Sequence, residues 1–381
     1  MIRSLAVTIL VSCALLSRGA AQEITLDSAR HTVVMRAGPF MAEPAEHSEH
    51  YGHAGMMDSD DPVRRFTWPC DAWLRGFALR LEDAEGRELP LRWIHHLKVV
   101  NFARRQLVYP ITERLIAVSR ESRDVKLPVS VGIPVRAGDE LGVYVMWDAP
   151  ADAPSHEVFI RIELRWTPAN LLPRPVSALP FQVDVPLAAA RNTFPVPPGR
   201  HEWASDFELS VGGHLLIAGG HLHDYGVSVR LEDVATGKRL LFFASRRDSS
   251  GHLLIAGGHL HDYGVSVRLE EVATGKRILN IEARRDSSGR LLGMPRKLLA
   301  LWGEGLRLKA GRRYRIVAVY ENPTADTIPG AMAIIGGLFA PDDLRRWPAI
   351  DVANADYRLD LELLGGPAIA ARRTEAGAQH E

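Results

Sequence analysis

Apolar and polar residues alternate along most of this chain in short runs broken by Gly, Pro and Asp. The clearest runs in the first half are Trp73 to Leu81, Pro128 to Val135, Leu141 to Trp147 and Val158 to Trp166. A period of two puts successive side chains on opposite faces of an extended backbone, so each run predicts a half-buried β-strand. A second strand-rich segment runs from Phe181 to about Leu364. Between them, residues 167–180 carry four prolines and read as a linker. The pattern predicts an all-β protein of two consecutive jelly-roll β-sandwich domains. Residues 22–168 form the first and 181–365 the second, with 169–180 between them and a disordered tail at 366–381.

Two internal likenesses support paired domains. Gly76–Arg87 matches Gly226–Lys238, and the block from Val135 to Pro150 matches that from Leu308 to Pro323. A closer repeat lies within the second half: residues 213–250 and 251–288 align without gaps, with 32 of 38 positions identical. Repeat arrays need about three copies to bury a core. This is therefore a tandem duplication of a strand pair, one copy holding the ancestral place and the other added to it.

The first 21 residues read as a secretory signal: Arg3, an apolar run from Leu5 to Leu16, and small residues at 19–21. The protein is then expected to be secreted or periplasmic. No apolar stretch is long enough for a membrane span. A formal net charge of zero gives no reason to expect a nucleic-acid partner. Removing the leader leaves Cys70 as the sole cysteine, so no internal disulfide is available.

Histidine spacing carries the candidate chemistry. Gly-Gly-His-Leu-His-Asp-Tyr-Gly occurs at 219–226 and again at 257–264, giving the pairs His221/His223 and His259/His261. Side chains at i and i+2 of a strand share a face, so each pair presents two imidazoles to one point, as a metal requires. His95 and His96 are adjacent, and neighbours on a regular strand face opposite ways. They could share an ion only where the strand is bulged or ending. The alternative for either motif is a set of ordinary surface or core histidines, and for Met332 a core methionine.

With Met332 added, these motifs resemble the copper type II, ascorbate-dependent monooxygenases, which include peptidylglycine hydroxylating monooxygenase and dopamine β-monooxygenase. The resemblance covers roughly 25–365 and implies two jelly-roll domains with one copper each. It assigns Met332 and a His-x-His pair, His221/His223 or His259/His261, to the copper at which oxygen and substrate meet. The alternating exit of the second copy favours His259 and His261. His95 and His96 match the pair at the electron-storing copper, but the third histidine of the family is missing. Met146, His156 or the segment from His47 to Met57 are the available donors. The chain also lacks the disulfides of the animal enzymes. The implied activity is hydroxylation of a C–H bond in a small molecule or peptide, using O2 and ascorbate or another reductant. The competing readings are a non-catalytic secreted double jelly roll that binds copper or a partner, and a remnant whose site the duplication has spoiled.

Overall fold

The computed structural model describes residues 23–42, 63–118, 124–147, 149, 157–185, 193–222, 226–244, 267–271, 276–281, 284–285, 291–293, 297–298, 305–322 and 324–364. At 219–222, 226–228, 238–244, 267–271, 276–281, 284–285, 291–293, 297–298 and 328–330 the description is of the backbone alone. The expected leader and tail lie outside the described residues. No helix among those described is long and apolar enough to cross a membrane.

The architecture is all-β, in sandwiches, as the alternation predicts. The principal strands of the first half are β1 (Glu23–Asp27), β2 (Thr32–Met41), β3 (Arg64–Thr67), β4 (Ala72–Glu82), β5 (Ile94–Arg105), β6 (Thr112–Val118), β7 (Val131–Val135), β8 (Glu140–Trp147) and β9 (Glu157–Pro168). One sheet runs β1-β2-β9-β4-β7 and the other β3-β8-β5-β6. Their facing sides supply one core, including Met35, Leu79, Ile94, Leu97, Leu141 and Ile160.

The second half contributes β10 (Leu179–Val185), β11 (Gly199–Glu208), β12 (Gly213–Leu222), β13 (Gly226–Asp233), β14 (Lys238–Ala244), β15 (Val267–Glu271), β16 (Lys276–Ile281), β17 (Leu306–Leu308), β18 (Arg313–Asn322) and β19 (Ala333–Pro341). One sheet runs β10-β19-β12, with β17 also paired to β12. The other runs β11-β18-β13-β14-β15-β16. Thus β10-β19-β12-β17 repeats the order β2-β9-β4-β7, and β11-β18-β13-β14 repeats β3-β8-β5-β6. The Val135 and Leu308 blocks occupy equivalent places, ending β7 and β17 and forming β8 and β18. The Gly76 and Gly226 blocks do not. Gly76 lies in β4, whose counterpart is β12, whereas Gly226 opens β13, the counterpart of β5. Both are amphipathic strands ending in an acidic turn, and sequence likeness alone assigned them one place too far along.

The duplication is accommodated at an edge. Its first copy supplies β12, β13 and β14, integral to both sheets. Two described strands of the second copy, β15 and β16, pair with each other and reach β14 through Ala244↔Val267 and Phe243↔Ile281. Close approach fixes β12 against β19: a Cβ on Gly337 would lie 1.9 Å from the Ile217 carbonyl oxygen.

The two halves are packed together. Leu216, Ile217 and Leu338 of the second half join the first core, and Leu107 from the β5–β6 turn joins the second. Residues 169–175 connect the halves, while Val176–Ser177 already pair in parallel with Val131–Gly132. The described residues end in α1 (Ala355–Leu364), a helix that period-two reading does not anticipate. Asn354 starts it, its Oδ1 accepting from the Asp356 and Tyr357 amides at 2.9 and 3.3 Å. Leu363 and Leu364 pack against Val63, Val100, Phe102 and Tyr144 of the first half.

Candidate metal centre

A short 3-10 turn at Leu91–Trp93 leads into β5, whose ladder with β8 then slips by one residue. Met146 pairs with His96 and Trp147 with Ile94, so His95 is the extra residue of a β-bulge. Core packing gives the consequence. Ile94 and Leu97 both point into the first core, at 0% and 1% exposure, although they are three residues apart. His95 and His96 between them therefore both lie on the other face of the sheet. This is the irregularity that adjacent histidines need in order to share a ligand. Their ring centroids are 4.3 Å apart, inclined at 65°. Met146, directly opposite His96, alternates with the core residues Val145 and Trp147, so it shares that outer face. All three side chains are buried.

The same face carries a buried polar network, because it is covered by the second half and α1. Lys98 follows His96 at the i+2 position and pairs with Tyr144 of β8. Its ammonium lies 5.8 Å from the Tyr144 ring centroid. Burial, then the Arg114 charge, push Lys98 down to about 7, while Asp184 and Asp360 oppose the shift. Arg114 of β6 forms a buried ion pair with Asp360 of α1, whose Oδ2 also accepts from the amide and hydroxyl of Thr112 at 2.9 and 2.8 Å. Burial works against the Arg114 cation, but Asp360, with Tyr144 and Tyr109, outweighs it and the guanidinium pKa is raised. On β10, Asp184 accepts from the Tyr109 hydroxyl and from Gln182 Nε2. Burial raises the Asp184 carboxyl above its ordinary value and, reinforced by Asp184, raises the Tyr109 phenol.

Met332 is buried where the chain passes from a short pairing with Phe194–Val196 into β19. Tyr320 of β18 reaches across the second sandwich and donates its hydroxyl to the Met332 carbonyl. In the adjoining sheet, β12 runs antiparallel to β19 with His221 opposite Ile334 and Leu222 opposite Ala333. Asp184 is opposite Ile334 on the other side. One cross-strand row thus contains the positions of Asp184, Ile334 and His221, and the first His-x-His motif runs toward Met332. His223, His259, His261 and His156 lie outside the described residues, as does the segment from His47 to Met57. Among the described residues no three His, Cys, Asp or Glu side chains form a metal-holding group. The donors brought together are two imidazoles and, from the facing strand, a thioether.

The chain matches no protein-family model and no curated protein.

Lys98 and Asp184 escape sequence reading because each stands singly among apolar neighbours: Lys98 between Leu97 and Val99, Asp184 between Val183 and Val185. A charge at the outward position of a strand ordinarily means solvent. Here that face is covered, and only the assembled halves reveal it.

Proposed function

We propose that this chain is an exported copper-dependent monooxygenase, related to the copper type II, ascorbate-dependent family, that hydroxylates a C–H bond using O2 and a reductant. The observation that carries the reading is the bulge at His95, which gathers His95, His96 and Met146 on one face of β5 and β8. The shared strand order supports it too: eight strands in two sheets, in the same sequence in both halves, is the arrangement of paired jelly rolls. The donor set suits copper, since imidazole serves both oxidation states and thioether favours Cu(I). Bound copper would supply one-electron transfer and oxygen activation. His95, His96 and Met146 would hold one ion, and Met332 with a His-x-His pair the other. The register of β12 beside β19 favours His221 and His223 for that role over His259 and His261. Lys98, Asp184 and Arg114 would hold the two halves in fixed register around these donors.

One observation favours the second reading, a non-catalytic double sandwich that holds copper. His95, His96 and Met146, the donors for the electron-storing ion, are all less than a tenth exposed, which restricts the approach of an external reductant such as ascorbate to that ion. Copper per chain, measured on purified protein together with oxygen uptake under ascorbate, separates the two. The monooxygenase reading expects about two ions per chain and copper-dependent uptake. Bound copper without uptake selects the holding protein, and no bound copper removes both readings.

A further inference from the structure

We propose that His95, His96 and Met146 form a site selective for a soft monovalent cation, holding Cu(I) in preference to Cu(II). The inference rests on reading these residues as copper ligands and specifies which form of the metal they retain. Three features of the site point the same way. The donors are two imidazoles, and Met146 stands opposite His96 on the adjacent strand, on the face both histidines share. Directly opposed residues of an antiparallel pair place their Cβ atoms about 4.5–5.5 Å apart, within reach of a common ion for these long side chains. A thioether is a soft donor that binds Cu(I) well and adds little for Cu(II).

Burial is the second feature. His95, His96 and Met146 are 9%, 7% and 6% exposed. Desolvating an ion costs free energy in proportion to the square of its charge, so a buried site penalises a dication far more than a monocation. The third is the charge around it. In the adjoining network the Asp360 carboxylate is paired with the Arg114 guanidinium, so that pair brings no net negative charge to the site. The Asp360 carboxylate is committed to Arg114 and Thr112, and that of Asp184 accepts from Tyr109 and Gln182. Asp360, already neutralised by Arg114, adds nothing to offset a second positive charge on the ion. Among the described residues no third His, Cys, Asp or Glu joins the pair to do so.

The test uses the full chain carrying Met332→Leu and Cys70→Ser, which removes the methionine of the other candidate site and the free thiol that would itself take Ag(I). Ag(I), redox-inert and similar in softness to Cu(I), is the probe, with Cu(II) as the competitor. The parent should bind Ag(I), and Met146→Leu should weaken that binding by about tenfold or more, equivalent to 1.4 kcal/mol. Met146→His should reverse the preference, giving a Cu(II) electron paramagnetic resonance signal stronger than the parent's. In unmutated chain labelled with methyl-13C methionine, Ag(I) should shift the Met146 resonance, a readout that survives if a variant fails to fold. Unchanged Ag(I) affinity in Met146→Leu, or an unmoved Met146 resonance, overturns the proposal. The copper reading of the pair is judged separately by His95→Ala with His96→Ala. If these remove one Cu(II) per chain while Met146→Leu changes nothing, the pair is a copper site without monovalent selectivity. If they change neither ion's binding, the reading of the pair as ligands falls, and the selectivity with it.

Discussion

Asp360 ties α1 to a strand of the first sandwich, and its removal should be among the most damaging single changes in the protein. Its carboxylate accepts from the Thr112 amide at 2.9 Å, the Thr112 hydroxyl at 2.8 Å and Arg114 Nη1 at 3.1 Å, with Arg114 Nη2 also bonded. The side chains of Arg114 and Asp360 are 2% and 1% exposed. In Asp360→Ala the guanidinium stays buried and loses its counter-charge. Breaking a buried pair in this way costs about 3–5 kcal/mol. The Thr112 donors add to the loss, though not additively, because they share the same acceptor. We expect about 4 kcal/mol, a large fraction of the roughly 5–15 kcal/mol that holds a typical domain folded. Urea unfolding followed by tryptophan fluorescence would show this as a lowered midpoint with little change in slope. The exposed pair Arg65–Glu140, with side chains 45% and 48% exposed, supplies the control. Glu140→Ala should cost under about 1 kcal/mol. Arg114→Met combined with Asp360→Leu should recover most of the single-mutant loss, because no buried charge is then stranded. A loss below about 1 kcal/mol for Asp360→Ala, or a double variant no better than the single, would refute the reasoning.

Two further outcomes are expected. Deleting residues 251–288 should leave a chain that folds with its copper content unchanged and a thermal midpoint shifted by no more than about 4 °C, since β12, β13 and β14 all come from the first copy; loss of cooperative unfolding or of one copper ion would mean the second copy is required. Stability should also rise with pH between about 7 and 10.5, the folded and ordinary values for Lys98, because in that window the unfolded chain binds more protons than the folded one; urea midpoints compared across the window should show a rise that Lys98→Met removes, and an identical rise in the variant would place its origin elsewhere.

Fold class was legible in the sequence because period-two alternation is a local property and survives without knowledge of the partner strand. The division into two similar halves was legible from the Val135 and Leu308 blocks. Strand equivalence was less so: amphipathic strands with acidic turns resemble one another wherever they lie, and Gly76 and Gly226 fall in non-equivalent sheets. The terminal helix escaped for a related reason. Its buried positions, Tyr357, Asp360 and Leu364, have helical spacing, but the central one is a carboxylate whose partner is 246 residues away. No local pattern announces a charge that is neutralised at such a distance.

The histidine pair shows how a local rule and its exception can share the same residues. Taken as a regular strand, Ile94-His95-His96-Leu97 cannot put both apolar residues in the core, since they are an odd number apart. One extra residue in β5 resolves this conflict, and burying both Ile94 and Leu97 obliges both imidazoles to leave by the opposite face. The burial of two large aliphatic side chains, worth about 1.5–3 kcal/mol each, thus fixes the pair's geometry whether or not a metal is present. It follows that the donors on β5 and β8 are organised by the first sandwich core in advance of any ion. Replacing a histidine should then affect binding far more than folding, whereas replacing Ile94 or Leu97 should disturb both.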